Sequence, residues 1–321
     1  MKAVFVEKTG GAENLIYGDV PRPEPGAGQA LVKVVTSGVN FIDIYFRSGL
    51  YPAPPPVVLG MEGAGVVEAV GEGVATCRPG DRVCWAMARG SYADYAVVPA
   101  WQLVPVPGGL DFDQAAAAML QGMTAHYLTH STFELRPGHT CLVHAAAGGT
   151  GGLLVQMAKM RGARVIGTAG SAGKAAKARA LGCDEVILYT EKDFAAETKR
   201  ITGGGVDVVY DGVGKAVFLQ SLDCLRPRGM MVTFGNASGP VPAIEPLLLS
   251  AKGSLFLTRP TLATHAGNRT ELLWRAGDVL RWVRSGALRL TIEKKYPMAE
   301  AAAAQTALEG RQSAGKLLLG N

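Results

Sequence analysis

The sequence predicts an α/β fold, with a β-rich module followed by a doubly wound parallel sheet. Three observations lead there. Residues 144–152 read HAAAGGTGG, giving the spacing Ala-x-x-Gly-x-x-Gly at Ala145, Gly148 and Gly151. This run lies between an apolar stretch at 140–144 and a periodic apolar stretch at 153–160. Strand, tight turn and helix is the context in which a glycine cluster cradles the pyrophosphate of a dinucleotide. Second, the chain beyond residue 140 alternates short apolar runs with helical patterns, which implies parallel strands joined by crossover helices. Third, up to about residue 106 short strands are broken by Gly and Pro, as in a barrel-like β module.

Residues 1–8 read as a strand carrying charges, not as a signal peptide. Residues 30–35 alternate, 65–70 run into a turn at 71–73, and 82–85 follow a turn at 79–81. An Ala-rich helix spans 111–131, with Asp111 or Asp113 as its cap. Strands follow at 141–144, 164–168, 185–188, 206–210, 230–234 and 254–257. Helices are expected after 151 and from 171, 191 and 213. Beyond Pro260 come helices at 267–285 and 299–309 and an apolar strand at 316–319. That tail is too short for a domain and is expected to pack on the N-terminal module.

A length of 321 residues favours two domains. Hydrophobic content of 48% and charged content of 18% suit a soluble globular enzyme and argue against disorder. The net charge of +5 comes from dispersed Lys and Arg, which argues against a nucleic-acid surface. The stretch 240–257 is broken by Glu245, Pro246 and Lys252, so no membrane span is expected and the cytoplasm is the default location. Cys77, Cys84, Cys141, Cys183 and Cys224 form no Cys-x-x-Cys pair, and their odd number fits reduced thiols.

The choice of dinucleotide turns on the end of the second strand. NAD-specific sheets place an acid there to hold the ribose hydroxyl. Here residues 164–168 run into Ala169, Gly170 and Ser171, with no acid, and Lys174 follows near a helix N-terminus. A cation in that place favours a 2′-phosphate, hence NADPH over NADH.

The runs 40–51 (NFIDIYFRSGLY), 60–63 (GMEG), 79–83 (PGDRV), 145–151, 209–214 (VYDGVG), 234–236 (FGN) and 258–260 (TRP) occur in that order. With them the chain closely resembles the zinc-independent quinone oxidoreductases, which include zeta-crystallin, within the medium-chain dehydrogenase/reductase superfamily. The resemblance implies a GroES-like catalytic domain over 1–122, a Rossmann NADPH-binding domain over 123–258 and a return to the catalytic domain over 259–321. It implies a cofactor in the cleft between them, and a homodimer or homotetramer formed through the Rossmann domain.

The resemblance also implies site residues. Ala147, Gly148, Gly149, Thr150 and Gly151 would bind pyrophosphate. Gly170, Ser171, Lys174 and Tyr189 would hold the adenosine phosphate and ribose. Gly212, Phe234, Gly235 and Asn236 complete the cofactor set, with Arg311 on a phosphate. Asn40, Asp43, Tyr45, Arg47 and Tyr51 would lie near the nicotinamide and substrate, with Arg259 approaching from the other domain. Asn40 would bond the cofactor or a substrate oxygen, and Tyr45 would wall the pocket and offer its hydroxyl. By spacing alone, Asp43 and Arg47 also read as a helical ion pair.

No metal is expected. Zinc-dependent relatives carry a Cys and a later Gly-His-Glu where this chain has Asn40 and Gly60, Met61 and Glu62. His126 and His130 are four apart, but Tyr127 stands where a metalloprotease needs Glu, so the pair reads as a helix face. The implied function is metal-independent reduction of quinones by NADPH, through hydride or single electrons. An NADPH-dependent enone or 2-alkenal reductase is the alternative; a non-catalytic NADPH- or RNA-binding protein is the alternative from another class.

Overall fold

The computed structural model describes residues 1–311 and 313–320. Two compact units are present: Thr124–His265, and Met1–Met123 together with the chain from Ala266 onward.

The Thr124–His265 unit is built on six parallel strands. Across the sheet they run Glu185–Leu188, Arg164–Ala169, Thr140–Val143, Val206–Asp211, Leu225–Thr233 and Phe256–Thr258. In chain order that is third, second, first, fourth, fifth, sixth. The order reverses between Thr140–Val143 and Val206–Asp211, and ligands of such sheets bind beyond the strand C-termini at that point. Apolar residues fill the strands because both faces are covered: Leu142, Ile166, Val209 and Met231 are fully buried.

Local capping sets the helix starts. Ser171 accepts the Lys174 N–H and opens Ala172–Ala180. Asp193 accepts the N–H groups of Ala195 and Ala196, so the helix expected from residue 191 begins at Phe194. The helix expected from 213 begins only at Phe218. Asp211 Oδ1 accepts N–H groups from Val213 (2.7 Å) and Gly214 (2.9 Å), and Gly214 takes a φ of 85°, which turns the chain away from helical geometry first.

The other unit contains a seven-stranded and a three-stranded sheet. Its central strand, Gln29–Val39, pairs antiparallel with Glu62–Val70 on one side. On the other it pairs with Tyr95–Pro99 along its first half and with Lys316–Gly320 along its second. The inward faces bury Val32, Val67, Val83 and Trp85 in one cluster and Val4, Leu59, Tyr92 and Leu317 in another.

The Ala-rich helix runs Phe112–Tyr127 and ends in a π-helical turn, Leu128–Thr132. Asp111 is its cap: its Oδ1 accepts the Gln114 N–H (2.7 Å), and Gln114 Oε1 accepts the Asp111 N–H (3.3 Å). Asp113 instead pairs with Lys295 (2.7 Å). No helix among the described residues is long and apolar enough to cross a membrane.

Candidate active site

The small-residue run forms a tight turn from Thr140–Val143 into the helix Gly149–Met160. Gly148 is the N-cap residue and supplies no side chain to the first-turn N–H groups, which leaves them available to an anion. The Gly148 N–H donates to Ala145 O (2.9 Å). A Cβ on Gly151 would overlap that same carbonyl oxygen, so only glycine fits. Ala145 takes a φ of 50°, in the left-handed region where the fingerprint usually has glycine. Ala147 is buried, and Gly149 and Thr150 form the first helical positions.

Beyond the second strand, Gly170 and Tyr189 meet: a Cβ on Gly170 would overlap the Tyr189 hydroxyl. Ser171 caps the helix that carries Lys174, placing that lysine in the first turn with Tyr189 exposed nearby on the next strand end. The strand Arg164–Ala169 ends without an acid.

The fourth and fifth strand ends form a second close-packed corner. Gly235 has no room for a Cβ because of Gly212 O, and a Cβ on Gly212 would press on the Phe234 ring at 3.0 Å. Arg259 Nη1 donates to Thr233 O (3.0 Å), and its Nη2 donates to the Asn236 side-chain oxygen (3.3 Å). Asp211 is buried; burial pushes its carboxyl up to about 6, against two backbone donors and the Arg259 charge. Arg311 is exposed, in the turn after Ala301–Glu309, with a φ of 56°.

Asn40, Asp43, Tyr45 and Arg47 come together on the helix Phe41–Ser48 and its cap. Asp43 is fully buried. Its Oδ2 accepts the Asn40 N–H (2.9 Å) and the Tyr92 hydroxyl (3.0 Å), and its Oδ1 accepts the Met61 N–H (3.0 Å). Burial nevertheless pushes its carboxyl up to about 7. The helical ion pair expected between Asp43 and Arg47 does not form. Arg47 donates instead to Gln305 Oε1 (2.9 Å) and Glu309 Oε1 (2.8 Å), and Asp43 turns inward to Tyr92. Both side chains therefore brace the helix. Tyr45 and Tyr51 pack edge to face at 5.2 Å, joined by the Tyr51 N–H on Tyr45 O (3.0 Å).

Several groups were not singled out from the sequence. Glu62 and Lys316 form a buried ion pair against Asn40. His144, at the start of the glycine turn, contacts Thr168 Oγ1 through Nδ1 (3.0 Å) and Ser221 Oγ through Nε2 (2.8 Å). Glu62 had a signal in the Gly-Met-Glu run; Lys316 and His144 had none beyond being polar in an apolar strand.

Residues 26–108 match the alcohol dehydrogenase GroES-like domain, and residues 149–271 match the zinc-binding dehydrogenase family. A quinone oxidoreductase of Pseudomonas aeruginosa is 46% identical, covering 97% of this chain and 96% of its own. A 2-haloacrylate reductase of Burkholderia is 44% identical, covering 99% and 98%. The crystal structure of Escherichia coli quinone oxidoreductase complexed with NADPH superposes with a TM-score of 0.98 at 40% identity, covering 100% of both chains. The residues at the zinc-ligand positions do not fit zinc: Asn40 and Met61 offer an amide and a thioether, and Glu62 is held by the Lys316 ammonium. No cluster of three or more His, Cys, Asp or Glu among the described residues is arranged to hold a metal. The chain belongs to the quinone oxidoreductase family of the medium-chain dehydrogenase/reductases.

Proposed function

We propose that the chain reduces quinones with NADPH and without a metal. The observation that carries this reading is the end of the strand Arg164–Ala169, where no acid stands and Lys174 follows on the capped helix. A relative of known structure binds NADPH. Gly148, Gly149, Thr150 and Gly151, with Ala147 beneath them, would hold the pyrophosphate. Gly170, Ser171, Lys174 and Tyr189 would hold the adenosine end, Lys174 against the 2′-phosphate. Gly212, Phe234, Gly235 and Asn236 take the remainder, with Arg259 orienting Asn236 and Arg311 on a phosphate.

The bound nicotinamide supplies the reducing electrons, as hydride or singly. Residues of this chain orient the acceptor and exclude water. Tyr45 and Tyr51 wall it, and the Tyr45 hydroxyl or solvent delivers the proton. Asn40 acts by shape and orientation, since both ends of its amide are engaged internally. Asp43 and Arg47 hold the helix that presents them. A quinone is electron-poor enough to accept hydride without a Lewis acid.

The haloacrylate-reducing relative favours a second reading, in which an activated alkene such as an enone or 2-alkenal is the acceptor. Steady-state assays of quinones and enones with NADPH and NADH in parallel separate the two. We expect quinone turnover with NADPH that survives dialysis against a chelator. Turnover of alkenals with none of quinones would select the second reading. Lys174→Ala should weaken NADPH by about 10- to 100-fold, the worth of one charge-assisted hydrogen bond, and leave NADH nearly unchanged.

Association through the Rossmann unit into a homodimer or homotetramer is part of this reading. It is supported by the edge strand Phe256–Thr258, whose Phe256 and Leu257 are exposed. A cytoplasmic setting fits the free cysteines.

A further inference from the structure

Glu62 and Lys316 form an ion pair in which neither charge meets solvent: their side chains are 0% and 3% exposed. Burying such a pair is unfavourable unless every partner is satisfied. Here the partners converge on one side chain. Lys316 Nζ (2.8 Å) and Gln121 Nε2 (3.3 Å) donate to Asn40 Oδ1. Asn40 Nδ2 donates to Glu62 Oε2 (2.8 Å) and Gly38 O (3.3 Å). The two ends of a carboxamide have nearly the same shape, so only donors on one side and acceptors on the other decide which way it lies. An ammonium at the oxygen end and a carboxylate at the nitrogen end make that decision.

The other Glu62 oxygen, Oε1, accepts the Leu120 N–H inside the helix Phe112–Tyr127. One carboxylate thus joins three elements: the cap of Phe41–Ser48, the strand Lys316–Gly320 and that helix. Gly38 provides the clearance. A Cβ there would overlap Glu62 Oε2 and lie 2.9 Å from Lys316 Cε.

We propose that Lys316 and Glu62 are positioning residues for the reduction, fixing the orientation of the Asn40 carboxamide and the start of the helix that presents Tyr45. The proposal rests on the reading that Asn40 borders the nicotinamide. Neither residue touches reacting atoms; both act through Asn40.

The test uses the full chain with Lys316→Met, Lys316→Arg and Glu62→Gln. Without cofactor, the Asn40 side-chain NH2 signals of asparagine-labelled protein, assigned by their loss in Asn40→Leu, should exchange slowly with solvent. They should shift and exchange faster in Lys316→Met. With NADPH and a quinone, folded Lys316→Met should lose about 10- to 100-fold in kcat. Its NADPH affinity should change far less, and the isotope effect from 4-deuterated NADPH should grow. Lys316→Arg should recover part of the loss. Unchanged Asn40 signals with unchanged kcat in a folded variant would overturn the proposal. If Lys316→Met does not fold, Glu62→Gln decides by the same readouts. A wild-type chain that turns over neither quinones nor enones would sink the functional reading instead, leaving the NMR arm to decide the proposal.

Discussion

His144 shows how much a single side chain can carry outside the chemistry. The Ser221 hydroxyl donates to Val217 O (2.7 Å), so Ser221 Oγ accepts from His144 Nε2, and Nδ1 accepts from Thr168. One neutral tautomer satisfies all three groups. Burial holds the ring down to about 4, against 6.5 for a free imidazole. Above pH 6.5 both folded and unfolded chains are neutral at this residue, and its stabilisation is fully present. As pH falls from 6.5 towards 4, the unfolded chain takes up a proton that the folded chain refuses, and stability is lost. The gap corresponds to about 3 kcal/mol. Thermal melts should therefore show a steeper acid loss of Tm for the wild type than for His144→Gln; equal slopes would contradict this account. The sequence flagged Gly151 and Lys174 because their reasons are local. His144 meets Ser221 across 77 residues, and Lys316 meets Glu62 across 254. No periodicity encodes which distant side chain will be met.

At the scale of elements, the glycine turn was the most legible feature, since strand, turn and helix are contiguous in the chain. Its closure is tight enough to test. Gly151→Ala places a methyl group on Ala145 O, a backbone atom that cannot step aside. Unfolding in urea should show a loss of about 1–3 kcal/mol, as for other overpacked sites. NADPH titration should show weaker binding; wild-type affinity in the folded variant would remove the turn from the binding site. Element boundaries were less legible. Asp211 delays the next helix to Phe218 by taking two N–H groups, a competition that apolar periodicity does not report. Asp43 and Arg47 had the right spacing for a pair and still parted, because Tyr92 and Gln305 offered buried partners from elsewhere.

At the scale of the whole molecule, the order of the six strands leaves Phe256–Thr258 at an edge. Phe256 is 57% exposed and, on the preceding helix, Leu247 is 72% exposed. Unpaired apolar edges invite another strand. Light scattering should find a dimer or tetramer for the wild type and a smaller species for Phe256→Lys; an unchanged mass would place any association elsewhere.

The pairing of Gln29–Val39 with Lys316–Gly320 also sets an order of events on the ribosome. At roughly 5–20 residues per second, the later strand emerges on the order of tens of seconds after the earlier one. By then Thr124–His265 has been fully synthesised and is free to fold, while the first sheet still waits with an open edge. A nascent chain that stalls before Lys316 forfeits more than a tail. It leaves Asn40 and Glu62 without their cation and the first unit without its closing strand.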